Sequence, residues 1–158
     1  MSKKIVVLLT FVVVLIPASL FAAPAPLNLS AKSAILLVAS TGEVLYEKNA
    51  QAQQYPASTT KMMTIITALE DGNLNDMVTT SAHAANTEGS SMYLRPEERL
   101  RLQDMLYGVA LVSGNDAAVA VAEHLDASVE RFTKRIKAKA QAIEAMQTNF
   151  RNPNSMPD

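Results

Sequence analysis

Hydrophobic positions follow a strand-like pattern near residue 40 and a helix-like pattern further along the chain. Residues 34–38 are apolar throughout and residues 43–47 alternate, on either side of Ser40-Thr41-Gly42. Two β-prone runs around a glycine-containing turn are typical of a β-hairpin. We expect the first strand to be buried on both faces. The hairpin needs further strands or helices to pack against, because an isolated hairpin is only marginally stable in water.

The remaining apolar pattern predicts a helical body. Residues 61–71 are apolar around most of a helical circumference, which is typical of a buried helix, and Gly72 is a natural end. Residues 73–101 are expected to be mostly irregular. Two more helices are predicted from about 102 to 110 and from 116 to 125. The last helix is predicted to begin at a capping Ser128. Its apolar face is predicted to contain Phe132, Ile136, Ala140 and Ile143, and Met62, Met63 and Met105 are assigned to the core.

The N-terminus has the pattern of a secretory signal. Lys3 and Lys4 precede an apolar run at residues 5–16, and small residues follow Pro17. The run is shorter than the ~20 residues that a membrane-spanning helix needs, although a retained anchor remains the alternative. We therefore predict a signal peptide at residues 1–23, a flexible segment at 24–33 and one domain at 34–158. The mature protein is expected in the periplasm or cell envelope.

Composition narrows the class of protein. With 49% hydrophobic and 18% charged residues, the chain is globular rather than disordered. A net charge of -1 argues against a nucleic-acid binder. No cysteine is present, so no disulfide framework is expected. His83 and His124 have no ligand-like neighbours in the sequence, and we expect neither a metal nor a cofactor.

Ser58 and Lys61 are the first candidates for chemistry. Three residues apart at the start of a helix, their side chains would lie on one face within mutual reach. A serine becomes a good nucleophile only when a neighbour accepts its proton, and a lysine made neutral by burial can do so. The helix N-terminus would also offer backbone N–H groups to an oxyanion. The alternative is that Ser58 caps the helix and Lys61 is solvated.

Ser113-Gly114-Asn115 interrupts two apolar helices and is the second candidate. One interpretation is a helix stop at Gly114 followed by an N-cap at Asn115. The other is that Ser113 completes a proton relay and that Asn115 hydrogen-bonds a peptide substrate. The two interpretations are compatible.

These segments together resemble the low-molecular-weight penicillin-binding proteins, the D-alanyl-D-alanine carboxypeptidases. The Ser-x-x-Lys and Ser-x-Asn elements belong to the signature of this superfamily. Four segments carry the resemblance, in the same order as in the family: YEKN at 46–49, PASTTKMMT at 56–64, GSSMYL at 89–94 and SGNDAA at 113–118. The resemblance implies an α+β fold of the β-lactamase/DD-peptidase transpeptidase type, here incomplete, with a hairpin and a helical subdomain but without the later sheet strands.

The resemblance also implies a mechanism. Ser58 would attack the carbonyl between the last two D-alanines of a peptidoglycan stem peptide, and Lys61 would take its proton. Ser113 would relay protons to the leaving group, and Asn115 would orient the substrate amide. β-Lactam antibiotics would acylate Ser58, whereas nucleic acid is not an expected partner and membrane attachment stays open. Residues 89–94 are expected to form a packed connection near the site.

The chain departs from the family in several places. No Lys-Thr-Gly or Lys-Ser-Gly occurs in it, so we expect little carboxypeptidase activity from this chain alone. Glu97, Glu144 and Ser155 stand at or near places where the family usually has glycine. The alternatives are a non-catalytic penicillin- or peptidoglycan-binding protein and a serine β-lactamase, for which we see no glutamate suited to activating a deacylating water.

Overall fold

A computed structural model describes residues 27–156 of the chain. The signal peptide predicted for residues 1–23 lies outside the described residues. The rest divides into two compact units between Gln53 and Gln54, inside the single domain predicted for residues 34–158. That domain boundary stays a prediction.

The first unit contains the predicted hairpin. Strands β1 (Ala34–Leu37) and β2 (Val44–Lys48) pair antiparallel, with a bulge between Leu36 and Leu37. Gly42 has a φ of 73°, and its N–H donates to the Val38 carbonyl at 2.8 Å to close the turn. The expectation that β1 is buried on both faces is wrong, since Ile35 and Leu36 are about half exposed. Among residues 27–53, β1 has a single partner strand and no further layer that covers either of its faces.

Residues 27–33 contain no helix or strand and are attached to β2 by hydrogen bonds. Lys48 Nζ donates to the Leu29 carbonyl at 2.7 Å, and Asn49 Nδ2 donates to the Lys32 carbonyl at 3.0 Å. The flexibility predicted for residues 24–33 stays a prediction, but their described part is held in place by side chains of the hairpin.

The second unit is mainly helical, with a small two-stranded sheet in the region predicted to be mostly irregular. A 3₁₀ turn at Ala57–Thr59 leads directly into the first helix. A short strand at Met77–Thr79 pairs antiparallel with one at Arg99–Arg101. The elements are α1 (Thr60–Asp71), β3 (Met77–Thr79), α2 (Ala82–Ala85), β4 (Arg99–Arg101), α3 (Leu102–Leu111), α4 (Asn115–Asp126) and α5 (Val129–Ala142). The α+β content agrees with the prediction.

Helix α4 forms the centre of this unit. Its residues 115–122 are all buried, and they include four alanines, whose small side chains allow α1, α2, α3 and α5 to approach closely. One core cluster joins α4 to α3 around Leu102, Met105 and Val109, and a second joins it to α5 around Phe132 and Ile136. The site described below is built at the N-terminal end of this central helix.

Helix α1 is amphipathic rather than buried all round. Its inner face is formed by Lys61, Met63, Thr64, Thr67 and Ala68. Met62, Ile66 and Leu69 are exposed, at 61%, 39% and 53%. The prediction that Met62 lies in the core is therefore wrong, whereas Met63 and Met105 are buried as predicted.

Helix α5 begins and ends with defined caps. The Ser128 hydroxyl accepts from the Arg131 N–H at 3.2 Å, as predicted. Phe132, Ile136 and Ala140 are buried, but the predicted apolar face stops there because Ile143 is 58% exposed.

Ion pairs connect α5 to its neighbours. Arg135 Nη1 donates to Asp71 of α1 at 2.9 Å, and Arg135 Nε donates to Asp126 of α4 at 2.9 Å. Lys139 pairs with Glu70 of α1. The basic side chains of Arg135 and Lys139 thus attach α5 to its neighbours.

Among residues 27–156, no helix is long and apolar enough to cross a membrane.

The C-terminal end of α5 forces a non-glycine residue into a left-handed conformation. Glu144 has a φ of 61° in a Schellman arrangement, in which its N–H donates to Gln141 and the Ala145 N–H donates to Ala140. Glu97 and Ser155 also have positive φ, at 66° and 71°. All three are the positions at or near which the resemblance leads one to expect glycine.

We predict that Glu144→Gly raises the free energy of unfolding by about 0.5–1 kcal/mol, because glycine adopts this φ without the Cβ clash. Urea unfolding of parent and variant measures the change. Ala138→Gly, at an exposed position inside α5, is the matched control and should lower stability by about 1 kcal/mol. A loss of stability in Glu144→Gly would show that the left-handed position carries no strain.

Candidate active site

Ser58 lies in the 3₁₀ turn that precedes α1, and its side chain is exposed. Ala57, directly before it, has a φ of 49°. The Thr59 hydroxyl donates to the Pro56 carbonyl at 2.6 Å and closes the turn. Positive φ at a residue with a side chain costs free energy and is concentrated at functional sites, where the surroundings enforce it. Ser58 is therefore presented to solvent from a constrained piece of backbone.

Lys61 is buried in the first turn of α1, with 3% of its surface exposed. Its Nζ donates to Ser113 Oγ at 3.1 Å and to the backbone carbonyl of Asn154 at 3.0 Å. Burial lowers the pKa of Lys61, because the charged ammonium form loses its hydration. The structure therefore excludes the alternative of a solvated lysine.

Ser113 lies at the corner between α3 and α4 and joins the other two side chains. Its Oγ donates to Ser58 Oγ at 2.6 Å and accepts from Lys61. Its φ is 58°, and the Gly114 N–H donates back to the Gly108 carbonyl at 3.1 Å. The structure thus brings three of the four predicted residues into one hydrogen-bonded chain from buried Lys61 through Ser113 to exposed Ser58.

Asn115 is not part of this chain of contacts. It is buried, its Nδ2 donates to the Glu88 carbonyl at 2.7 Å, and its N–H donates to the Ser90 carbonyl at 2.7 Å. The alternative of Asn115 as an N-cap is wrong in detail, since α3 ends at Leu111 and Gly114 is the N-cap of α4. Asn115 thus attaches Glu88 and Ser90 to the corner, whereas of residues 89–94, predicted to be a packed connection, only Leu94 is buried.

Two backbone carbonyls near the C-terminal end of the described chain complete the site. The turn at residues 152–156 supplies the Asn154 carbonyl to Lys61 and the Pro153 carbonyl to Thr64 Oγ1, the latter at 2.8 Å. Asn152 closes this turn, donating through Nδ2 to the Met156 carbonyl. The sequence predicted a turn here but not its hydrogen bonds to Lys61 and Thr64. Every residue has a backbone carbonyl, so the identity of the side chains does not show which carbonyl accepts.

Asp116 is a further polar residue at the corner that the sequence did not single out. Its carboxylate is fully buried and accepts from Ser91 Oγ and from the backbone N–H groups of Met92, Leu94 and Ala117. Burial alone would raise the pKa of this carboxyl, but the four hydrogen bonds outweigh it and hold the pKa below its usual value. Asp116 is thus buried as an anion.

Each of the two histidines lies next to a carboxylate and contacts none of these groups. His83 Nδ1 is 2.7 Å from Glu123, and His124 Nε2 is 3.7 Å from Asp76. Within residues 27–156, no group of three or more histidine or carboxylate side chains is placed to hold a metal ion.

Comparisons with known proteins identify one family. The family model for D-alanyl-D-alanine carboxypeptidase matches residues 20–157. The chain is 44% identical to D-alanyl-D-alanine carboxypeptidase DacF of Bacillus subtilis over 133 residues, covering 81% of this chain and 34% of that protein. It is 36% identical to DacA of Haemophilus influenzae, covering 84% of this chain and 36% of DacA. The chain thus spans about a third of the length of these curated relatives.

Solved structures agree with the sequence comparisons. D-alanyl-D-alanine carboxypeptidase DacD from Francisella tularensis superposes with a TM-score of 0.80 at 32% identity, covering 89% of this chain and 35% of that one. Penicillin binding protein 5 from H. influenzae gives 0.79 at 34% identity, covering 85% and 41%. The predicted fold class, an incomplete α+β domain of the DD-peptidase type, is confirmed.

We predict that the burial of Lys61 appears in the pH dependence of stability. Because its pKa is lower in the folded than in the unfolded chain, the unfolded chain binds more protons in the window between the two values. The free energy of unfolding of the parent should rise with pH across that window, and Lys61→Met should not share this rise. Urea unfolding of both proteins between pH 7 and 10 measures the difference, and parallel curves would contradict the prediction.

Proposed function

The chain belongs to the D-alanyl-D-alanine carboxypeptidase family, and on this premise we propose that Ser58 is the nucleophile of a serine acyl-enzyme. Its substrate is the D-Ala-D-Ala end of a peptidoglycan stem peptide. One observation carries the proposal: the hydrogen-bonded chain that joins exposed Ser58 through Ser113 to buried Lys61. Acyl transfer by serine requires a general base that accepts the proton of the nucleophile, and the desolvated Lys61 amine, linked to Ser58 through Ser113, is placed to act as one.

Proton movement follows from these contacts. A neutral Lys61 keeps one N–H for the Asn154 carbonyl and offers its lone pair to Ser113. Rotation of the two serine hydroxyls reverses the chain, so that Ser58 donates to Ser113 and Ser113 to Lys61. The Ser58 proton then passes inward as Oγ attacks the carbonyl carbon of the penultimate D-alanine. The same relay returns a proton to the nitrogen of the departing D-alanine, and water hydrolyses the acyl-enzyme.

Asn115 remains a proposed substrate-orienting residue. Its amide donor is already used by the Glu88 carbonyl, so a substrate would compete with residues 88–94 for that donor. β-Lactams, as mimics of the D-Ala-D-Ala end, would acylate Ser58 in place of the substrate. We place the protein in the cell envelope, outside the cytoplasm, where peptidoglycan lies, and leave membrane attachment open.

Turnover by this chain alone is proposed to be slow. The chain spans about a third of its relatives and contains no Lys-Thr-Gly, the element that resemblance assigns to the substrate carboxylate and the second oxyanion donor. The loss of one such donor typically lowers the rate by roughly 100- to 1000-fold. Acylation is therefore expected to be detectable more readily than product release.

We predict that a fluorescent penicillin labels the chain covalently at Ser58. Ser58→Ala should abolish the label, and Ser113→Ala or Lys61→Met should slow labelling by roughly 10²–10⁴-fold, because each interrupts proton removal. In-gel fluorescence and peptide mass spectrometry measure rate and position. Ser40→Ala, in the exposed hairpin turn, is the matched serine control and should label like the parent.

Release of D-alanine from a diacetylated D-Ala-D-Ala tripeptide separates the remaining possibilities. Stable label without release fits a penicillin-binding chain that does not turn over, and rapid loss of the label as hydrolysed penicillin fits a β-lactamase. Steady D-alanine release would refute the proposal that this chain turns over slowly. Labelling that persists in Ser58→Ala would refute Ser58 as the nucleophile.

A further inference from the structure

The Asp116 carboxylate is the best-satisfied buried charge near the corner of α3 and α4. Oδ1 accepts from the N–H groups of Met92 and Ala117 at 3.0 and 2.8 Å. Oδ2 accepts from Ser91 Oγ at 2.7 Å and from the Leu94 N–H at 3.1 Å. Three of these four donors belong to one loop, residues 88–94. A single anion therefore holds most of that loop.

This loop contains a strained residue between two of its attachments. Tyr93 has a φ of 61° and is 88% exposed, so packing of its ring does not stabilise the conformation. The Met92 and Leu94 N–H groups on either side of it both donate to Asp116, and the Tyr93 N–H donates to Ser91 Oγ at 2.8 Å. A left-handed conformation at a residue with a side chain persists only where its surroundings enforce it. Here the carboxylate of Asp116 does so.

The same carboxylate lies against the corner that carries Ser113. A Cβ added to Gly114 would come within 3.0 Å of Asp116 Oδ1, so the corner backbone packs directly on the anion. Asn115, between them, donates from its backbone to Ser90 and from its side chain to Glu88. The loop and the corner are therefore joined at five points, three of which depend on Asp116.

We propose that Asp116 is a positioning residue for acyl transfer. Its carboxylate fixes residues 88–94 on the corner and thereby holds Ser113 in line between Ser58 and Lys61. The proposal rests on the proposed function, in which Ser113 relays the proton. It assigns to Asp116 an effect on the relay that is separate from its effect on stability.

The test uses a fluorescent reporter in the loop. The chain has no tryptophan, so Tyr93→Trp introduces a single exposed one. In this background, Asp116→Asn replaces the anion by an isosteric amide. The amide nitrogen cannot accept the two hydrogen bonds that the carboxylate oxygen in its place accepts. We expect lower fluorescence anisotropy of the introduced tryptophan and labelling of Ser58 by fluorescent penicillin slowed by about 10- to 100-fold, as for a misplaced relay.

Ile136→Val is the matched stability control, since Ile136 is fully buried in the α5 core away from the loop. It should lower the urea midpoint and leave both readouts unchanged. Equal effects from the control, or an unchanged result in either of the two readouts in Asp116→Asn, would overturn the proposal. If Asp116→Asn does not fold, Ser91→Ala, which removes one of the four hydrogen bonds, replaces it. Labelling of Ser58 in Ser91→Ala is then expected to be several-fold slower than in the parent, with an intact circular dichroism spectrum. An unchanged labelling rate would overturn the proposal.

The two readouts separate this proposal from the proposed function. Absence of label in the Tyr93→Trp parent would count against Ser58 chemistry itself. Anisotropy needs no acylation, so unchanged anisotropy in the variant would count against Asp116 whatever the label shows.

Discussion

Burial of the Lys61 amine is the constraint on which the rest of the helical unit depends. An amine removed from water must find acceptors inside the protein, and Lys61 finds them 52 residues away at Ser113 and 93 residues away at Asn154. The α3–α4 corner and the turn at residues 152–156 must therefore both be fixed against the first turn of α1. Helix α4, whose small side chains let α1, α3 and α5 pack closely around it, provides the rigid centre that makes this possible.

Backbone strain is found in each of the three segments that meet at Lys61. Ala57 precedes the exposed Ser58, Ser113 accepts from the Lys61 amine, and Ser155 follows the Asn154 carbonyl that also accepts from that amine. All three have positive φ. Each such residue costs about 1–2 kcal/mol relative to a relaxed conformation. The site thus combines a desolvated amine with strained backbone, and the surrounding core has to compensate for both.

The spacing of Ser58 and Lys61 predicted a shared helical face, but Ser58 lies in the 3₁₀ turn before α1 and is joined to Lys61 only through Ser113. Ser113 itself stood out in the sequence as a break between apolar helices. The Asn154 contact could not be predicted, because any residue supplies a carbonyl. The direction of the Asn115 amide depends on residues 88–94, which carry no periodic pattern. The apolar run of β1 predicted a strand correctly, but apolarity alone could not say what covers it.

For the pKa of Lys61, the chemical nature of its hydrogen-bond partners matters more than their number. Lys61 is bound by a hydroxyl and a carbonyl, both neutral, and its pKa is lowered by burial. A carboxylate in either place would stabilise the ammonium and act against this lowering of the pKa. A buried carboxylate does exist at the same corner, in Asp116, but it is satisfied by a hydroxyl and three backbone N–H groups. Because the Lys61 amine and the Asp116 carboxylate are each hydrogen-bonded by neutral groups, the carboxylate can order the loop without being a partner of the amine.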